Sequence, residues 1–363
     1  MAYAALLALA ALDAAGYSVI APVIPEIGER TGAGPAVAGA LVAAFALGQL
    51  GGFPLAGRVV SRRGAVAVFG GSLALVAVGD LGFILTERLE VFFPARLLQG
   101  VGAAGLWLGV VFGVLERFPG QEYRRLTGVL AAYSVGGIAG PGIAAAGGIA
   151  APFAIHLALV GAAAGVVLAL GSPRERPAFA SDRAALLTPG FRLASAGVLI
   201  VALGLGVLDG PLPLHFAIEL SQAEIAGLYV GGSIVLGVAS AAAGSFRPGP
   251  MLWLGALATT AGIALAGATG AVPLWLAAVA LVGVGLGLGE AGALGILLQH
   301  VGVERIVLAM VVWSQVWAVG YLVGPSVAGA VAEGLGFAAL GVVPAAGLLL
   351  LAAVTPRRPA TRG

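Results

Sequence analysis

The chain has 363 residues, of which 60% are hydrophobic and only 9% charged, with a mean hydropathy of +1.07. Soluble domains carry about 25% charged residues, so these charges cannot build a water-facing surface and the apolar residues must face lipid. There is no Cys and no Lys, all 18 basic residues being Arg, which excludes disulfides and thiolate metal sites, a Walker A loop and Schiff-base chemistry.

A spanning helix needs about 20 residues, and apolar runs of that size predict spans at 2–24, 36–57, 65–85, 92–115, 126–148, 152–171, 193–217, 225–246, 251–269, 274–299, 307–330 and 337–354. The expected fold is an all-α polytopic membrane protein with twelve transmembrane helices and no soluble domain. The first span starts at Met1 without a basic leading segment or a small-residue cleavage site, so it does not read as a removable signal. The polar stretch Ser172–Arg192, rich in Pro, Ser and charge, reads as a cytoplasmic linker. It divides an N-terminal six-helix bundle (1–171) from a C-terminal one (193–363) that ends in a short cytoplasmic tail.

An internal repeat supports that division. Gly136, Gly140 and Pro141 in the fifth span recur as Gly320, Gly324 and Pro325 in the eleventh, 184 positions later. Pro22 and Pro25 at the end of the first span are likewise echoed by Pro211 and Pro213 in the seventh. Two parallel six-helix repeats are the organisation of one large transporter class.

With both termini inside, the cytoplasmic segments hold Arg58, Arg62, Arg63, Arg117, Arg124, Arg125, Arg174, Arg176, Arg183, Arg192, Arg247, Arg305, Arg357, Arg358 and Arg362. The outer loops hold only Arg30 and Arg88, and Arg96 lies within a span. This is a positive-inside bias. It also accounts for the pI of 9.3, so nucleic-acid binding is not implied. A plasma-membrane location, or the inner membrane of a Gram-negative cell, is expected.

The first span carries Asp13 followed by Pro22-x-x-Pro25, and the fourth reads Arg96-x-x-Gln99-Gly100-x-Gly102-Ala103. The order of these motifs resembles the major facilitator superfamily, in particular its twelve-helix drug:proton antiporter branch, which includes the vesicular amine transporters. The fifth span carries Gly136-x-x-x-Gly140-Pro141, which looks like the family's antiporter motif. One motif departs. The loop after the second span usually reads G-x-x-x-D-R-x-G-R-R, but here it is Gly57-Arg58-Val59-Val60-Ser61-Arg62-Arg63-Gly64-Ala65. Ser61 replaces the acid and Ala65 a basic residue, so the charged latch that this motif supplies at the cytoplasmic gate is incomplete here. The resemblance implies acids in the seventh and tenth helices, matched by Asp209 and Glu290, and another in the eleventh, where Trp313-Ser314-Gln315 has none.

A charge in mid-membrane costs at least about 2.5–3.5 kcal/mol, so Asp13, Asp80, Arg96, Asp209 and Glu290 each demand a reason. Asp13, with Tyr17 one turn away, is expected to face a central cavity and bind a cationic substrate or exchange a proton. A helix-crossing hydrogen bond is its structural alternative. Arg96 stays protonated and is expected to bias a neighbouring carboxylate, or to form a static salt bridge with Asp80. Tyr17, Gln99 and Gln315 are expected as polar cavity contacts. Trp313, Trp317 and Tyr321 fall at i, i+4 and i+8, and with Tyr133 they form either a stacking surface for a cationic ligand or ordinary packing. Gly100-Val-Gly102-Ala-Ala-Gly105 matches a dinucleotide fingerprint in letters only, because it lies within an apolar helix without a preceding strand. Close helix packing is its expected role. The pairs His215/Glu219 and His300/Glu304 read as interfacial polar pairs rather than metal sites.

The expected function is proton-coupled export of lipophilic cationic or neutral small molecules by alternating access. A symporter or uniporter for a sugar, lipid or other metabolite is the alternative, and a non-transporting sensor or assembly factor is a further one. No enzyme activity, cofactor, metal or nucleic acid is expected; the expected partners are a small-molecule substrate, protons and the bilayer, with the chain a monomer.

Overall fold

The fold is described from a computed structural model covering residues 1–171, 186–243, 245–301 and 306–355. Among the described residues, twelve helical segments are long and apolar enough to cross a membrane. The first span is α1 (Ala2–Ser18), a 3₁₀ turn at Ala21–Val23 and α2 (Ile24–Thr31). It is followed by α3 (Pro35–Arg63), α4 (Val66–Leu85), α5 (Leu89–Arg117), α6 (Glu122–Ala144) and α7 (Ala150–Leu170). The second half holds α8 (Pro189–Asp209) with the short α9 (Leu212–Phe216) as one span, then α10 (Gln222–Ala243), α11 (Pro248–Ala268), α12 (Val272–Val301), α13 (Ile306–Leu335) and α14 (Val342–Val354).

Each element has a local cause. Thr188 caps α8 by accepting a hydrogen bond from the Phe191 amide at 3.1 Å, with Pro189 at the first helical position. The helix therefore begins inside the stretch expected to be linker, whose residues 172–185 lie outside the described ones. Pro22 and Pro25 lack the amide that would continue α1, so the first span breaks at the 3₁₀ turn. Pro211 does the same after Asp209, where Gly210 takes a non-helical conformation (φ −88°, ψ −92°). Large apolar side chains such as Leu85 and Leu168 are exposed on the outside of the bundles, where lipid would meet them.

The repeat is visible in the packing as well as the letters. Gly136 and Gly140 of α6 sit against the carbonyls of Ala11 and Ala15 in α1. Gly320 and Gly324 of α13 sit against those of Leu199 and Leu203 in α8. A Cβ at any of the four would stand closer than 3.0 Å to backbone, so only glycine permits these crossings. In both contact pairs the glycine recurs 184 positions later and its carbonyl partner 188 positions later, so the two six-helix bundles share one internal crossing.

The bundles meet along α3 with α13 and α6 with α10. Gly39 lies on the Pro325 carbonyl and Gly329 on that of Pro35. Gln222 Nε2 donates to the carbonyls of Ala144 and Gly148 at 3.0 and 3.2 Å. Nearer the Arg-rich end, Gly57 packs on Val311 and Trp107 Nε1 donates to Ser314 Oγ at 3.1 Å.

Candidate functional site

Between the bundles lies a cavity of about 70 Å³. Asp13 of α1 and Glu290 of α12 both line it, one from each bundle, together with Tyr17, Tyr133, Trp107, Trp313 and Trp317. Among the described residues no Arg or His lines it, and its charged side chains are the two acids. Asp13 is 8% exposed and accepts a short hydrogen bond from the Tyr133 hydroxyl. Trp107 packs edge-on against Tyr133 at 5.3 Å, and Trp317 tilts against Tyr321 at 5.0 Å. The i, i+4, i+8 series on α13 therefore divides: Trp313 and Trp317 reach the cavity, while Tyr321 turns to Asp209.

Asp209 accepts from the Tyr321 hydroxyl at 2.7 Å and lines a smaller cavity of about 30 Å³. That cavity adjoins the first, since Tyr17, Ser233 and Leu286 line both. Asp209 occupies the break between α8 and α9, and there Tyr229 donates to the Leu208 carbonyl.

Arg96 and Gln99 stand behind the cavity rather than on its wall. Arg96 Nη1 donates to Gln99 Oε1 at 2.9 Å, and its guanidinium lies 4.4 Å over the Phe45 ring. Gln99 Nε2 donates in turn to Asp80 Oδ1 at 2.7 Å. The expected contact of Arg96 with Asp80 is thus relayed by an amide, and Arg96 Nε and Nη2 are buried without hydrogen-bond partners. Gln315 points to α3, donating to the Leu50 carbonyl at 3.4 Å, and does not line the cavity.

A sequence profile of the major facilitator superfamily matches residues 6–247. The chain belongs to the major facilitator superfamily. Multidrug resistance protein 2 of Bacillus subtilis (strain 168) is 30% identical to it over 214 residues, 53% of each chain. Multidrug resistance protein 1 of the same strain is 28% identical over 236 residues, 61% of this chain and 60% of that one. The chain thus matches only about half to three-fifths of the length of these relatives. The crystal structure of the human organic anion transporter MFSD10 (TETRAN) shares the fold, with a TM-score of 0.74 at 16% identity over 97% of this chain and 98% of that chain.

In this superfamily member the departing loop is held from elsewhere. Glu116, at the end of α5, accepts from the Ala65 amide at 3.1 Å, so a carboxylate from α5 caps the start of α4 where Ser61 has none to offer. Gly64 adopts the left-handed region at φ +82°, which a glycine alone takes without strain, and Arg62 is exposed. His215 Nε2 lies 2.9 Å from the Thr269 carbonyl and its ring stacks on Phe337 at 4.6 Å. Glu304 lies outside the described residues.

One residue escaped the reading of motifs: His156, whose Nδ1 is 2.8 Å from Asp80 Oδ2. The signal was present, because His156 is the sole polar side chain of α7, and a buried imidazole requires a partner.

Proposed function

We propose that the chain is a secondary transporter that exports lipophilic cations in exchange for protons by alternating access. The carrying observation is the shared cavity of Asp13 and Glu290, which is walled by aromatic rings and, among the described residues, has no basic side chain. A carboxylate in such a site holds either a proton or a cation, and that competition is the exchange. Aromatic faces attract cations by about 2 kcal/mol when desolvated, and they accept flat or bulky ligands without fixed hydrogen bonds. The Bacillus relatives, both multidrug resistance proteins by name, support the same substrate range. With the Arg-rich end cytoplasmic, export runs outward across the plasma membrane.

Proteoliposomes loaded with tetraphenylphosphonium and given an imposed pH gradient test the reading. Efflux should follow the gradient and collapse with a protonophore. Asp13→Asn and Glu290→Gln should each slow it at least about tenfold, equivalent to about 1.4 kcal/mol. Wild-type rate and coupling in both variants would exclude a carboxylate mechanism.

A further inference from the structure

The group that stands outside the cavity and has a defined geometry is the pair His156 and Asp80. His156 is 1% exposed and Asp80 fully buried. The carboxylate is held on both oxygens, by His156 Nδ1 at 2.8 Å and by Gln99 Nε2 at 2.7 Å. The far ring nitrogen, Nε2, lies 3.4 Å from the Leu12 carbonyl, on the side of Gly16. A Cβ on Gly16 would come within 2.8 Å of His156 Cε1, so the glycine makes room for the imidazole. On that side is a void of about 10 Å³ bordered by Asp13, Gln99 and His156 among mostly apolar neighbours, at the lower limit of the space one water needs. Asp13 therefore borders two spaces, the large cavity and this void.

We infer that the His156–Asp80 pair is a second proton-holding site, exchanging one proton with Asp13 through that void. The inference rests on the exchange role proposed for Asp13 and adds where the displaced proton goes. When a cation takes the Asp13 carboxylate, the Asp13 O–H bond breaks and the proton passes by way of a water to His156 Nε2. The neutral imidazole becomes an imidazolium, and its Nδ1–H donates to Asp80 throughout. The Leu12 carbonyl accepts the new Nε2–H. A buried imidazolium needs a buried anion beside it, and Asp80 supplies one. The ionisable groups facing His156 from the packed helices are Asp80 on α4 and Asp13 on α1. Arg96 on α5 stands behind Gln99, and Tyr133 on α6 donates to Asp13. A histidine that served packing alone would hold one protonation state whatever happened at Asp13.

With three His in the chain, histidine-selective NMR of the full-length protein in detergent resolves the question without transport. His156→Gln assigns the ring resonance, and His215→Gln with His300→Gln assigns it by elimination should the first variant misfold. The His156 resonance should change with pH. Its midpoint should move by at least about half a pH unit in Asp13→Asn. A resonance that does not titrate, or an identical midpoint in the variant, overturns the relay. Coupled titration without proton-driven efflux would retain this site and discard the transport reading. Proton-driven efflux with a silent His156 would do the reverse.

Discussion

At the scale of single residues, the chain places its few intramembrane charges in two settings with different chemistry. Asp13 and Glu290 border open space, whereas Arg96 and Asp80 are locked in a buried chain through Gln99. Removing the amide should therefore be a stability event. Gln99→Leu leaves Arg96 Nη1 and Asp80 Oδ1 without their partner, and a loss of at least about 3 kcal/mol should lower the melting temperature in detergent. An unchanged melting temperature would show that the chain is not structural. Trp317 differs in that it walls the cavity. Trp317→Ala should weaken tetraphenylphosphonium binding roughly tenfold, read by equilibrium binding, while the melting temperature stays close to wild type.

At the scale of helices, glycine decides which surfaces touch. Gly100 of α5 rests on the Phe45 carbonyl of α3, whereas Gly71 of α4 has no atom within 4 Å of a built Cβ. Gly100→Ala should destabilise the fold by about 1–3 kcal/mol through overpacking. Gly71→Ala, in a helix interior with open space, should be neutral or stabilising by up to about 1 kcal/mol. Parallel thermal melts compare the two, and equal effects would contradict close packing as the role of the Gly100 motif. The letters of that motif suit a phosphate loop equally well. The carbonyl of a neighbouring helix against it is what identifies its role as packing.

At the scale of the whole molecule, alternating access requires the two bundles to move against each other, and α3 with α13 is one seam between them. A Cβ built on Gly57 lies 4.0 Å from that of Val311, within disulfide range. The chain contains no Cys, so Gly57→Cys with Val311→Cys would supply its only thiols. Oxidation should pin the bundles at the Arg-rich end and stop efflux, and a reductant should restore it. Undiminished efflux in the fully cross-linked protein would exclude rocking at this seam.

Hydropathy and helix length alone determined that the chain spans a membrane twelve times, because burying apolar surface in lipid is a local, additive property of each segment. The repeat was legible too, since the same glycines must recur wherever the same crossing recurs. The acids could be found as costly exceptions, but what each one meets depends on helices far apart in the chain. Asp13 with Tyr133 and Asp209 with Tyr321 are such meetings, whereas Arg96 reaches Asp80 through Gln99 across two consecutive helices. Gln99 and Gln315 looked like cavity contacts because helical spacing fixes angles along one helix and not which neighbour fills the facing space. His156 lay unnoticed in an apolar run. Only the packing of α7 beside α4 and α1 gave it Asp80 on one side and Asp13 across a void on the other.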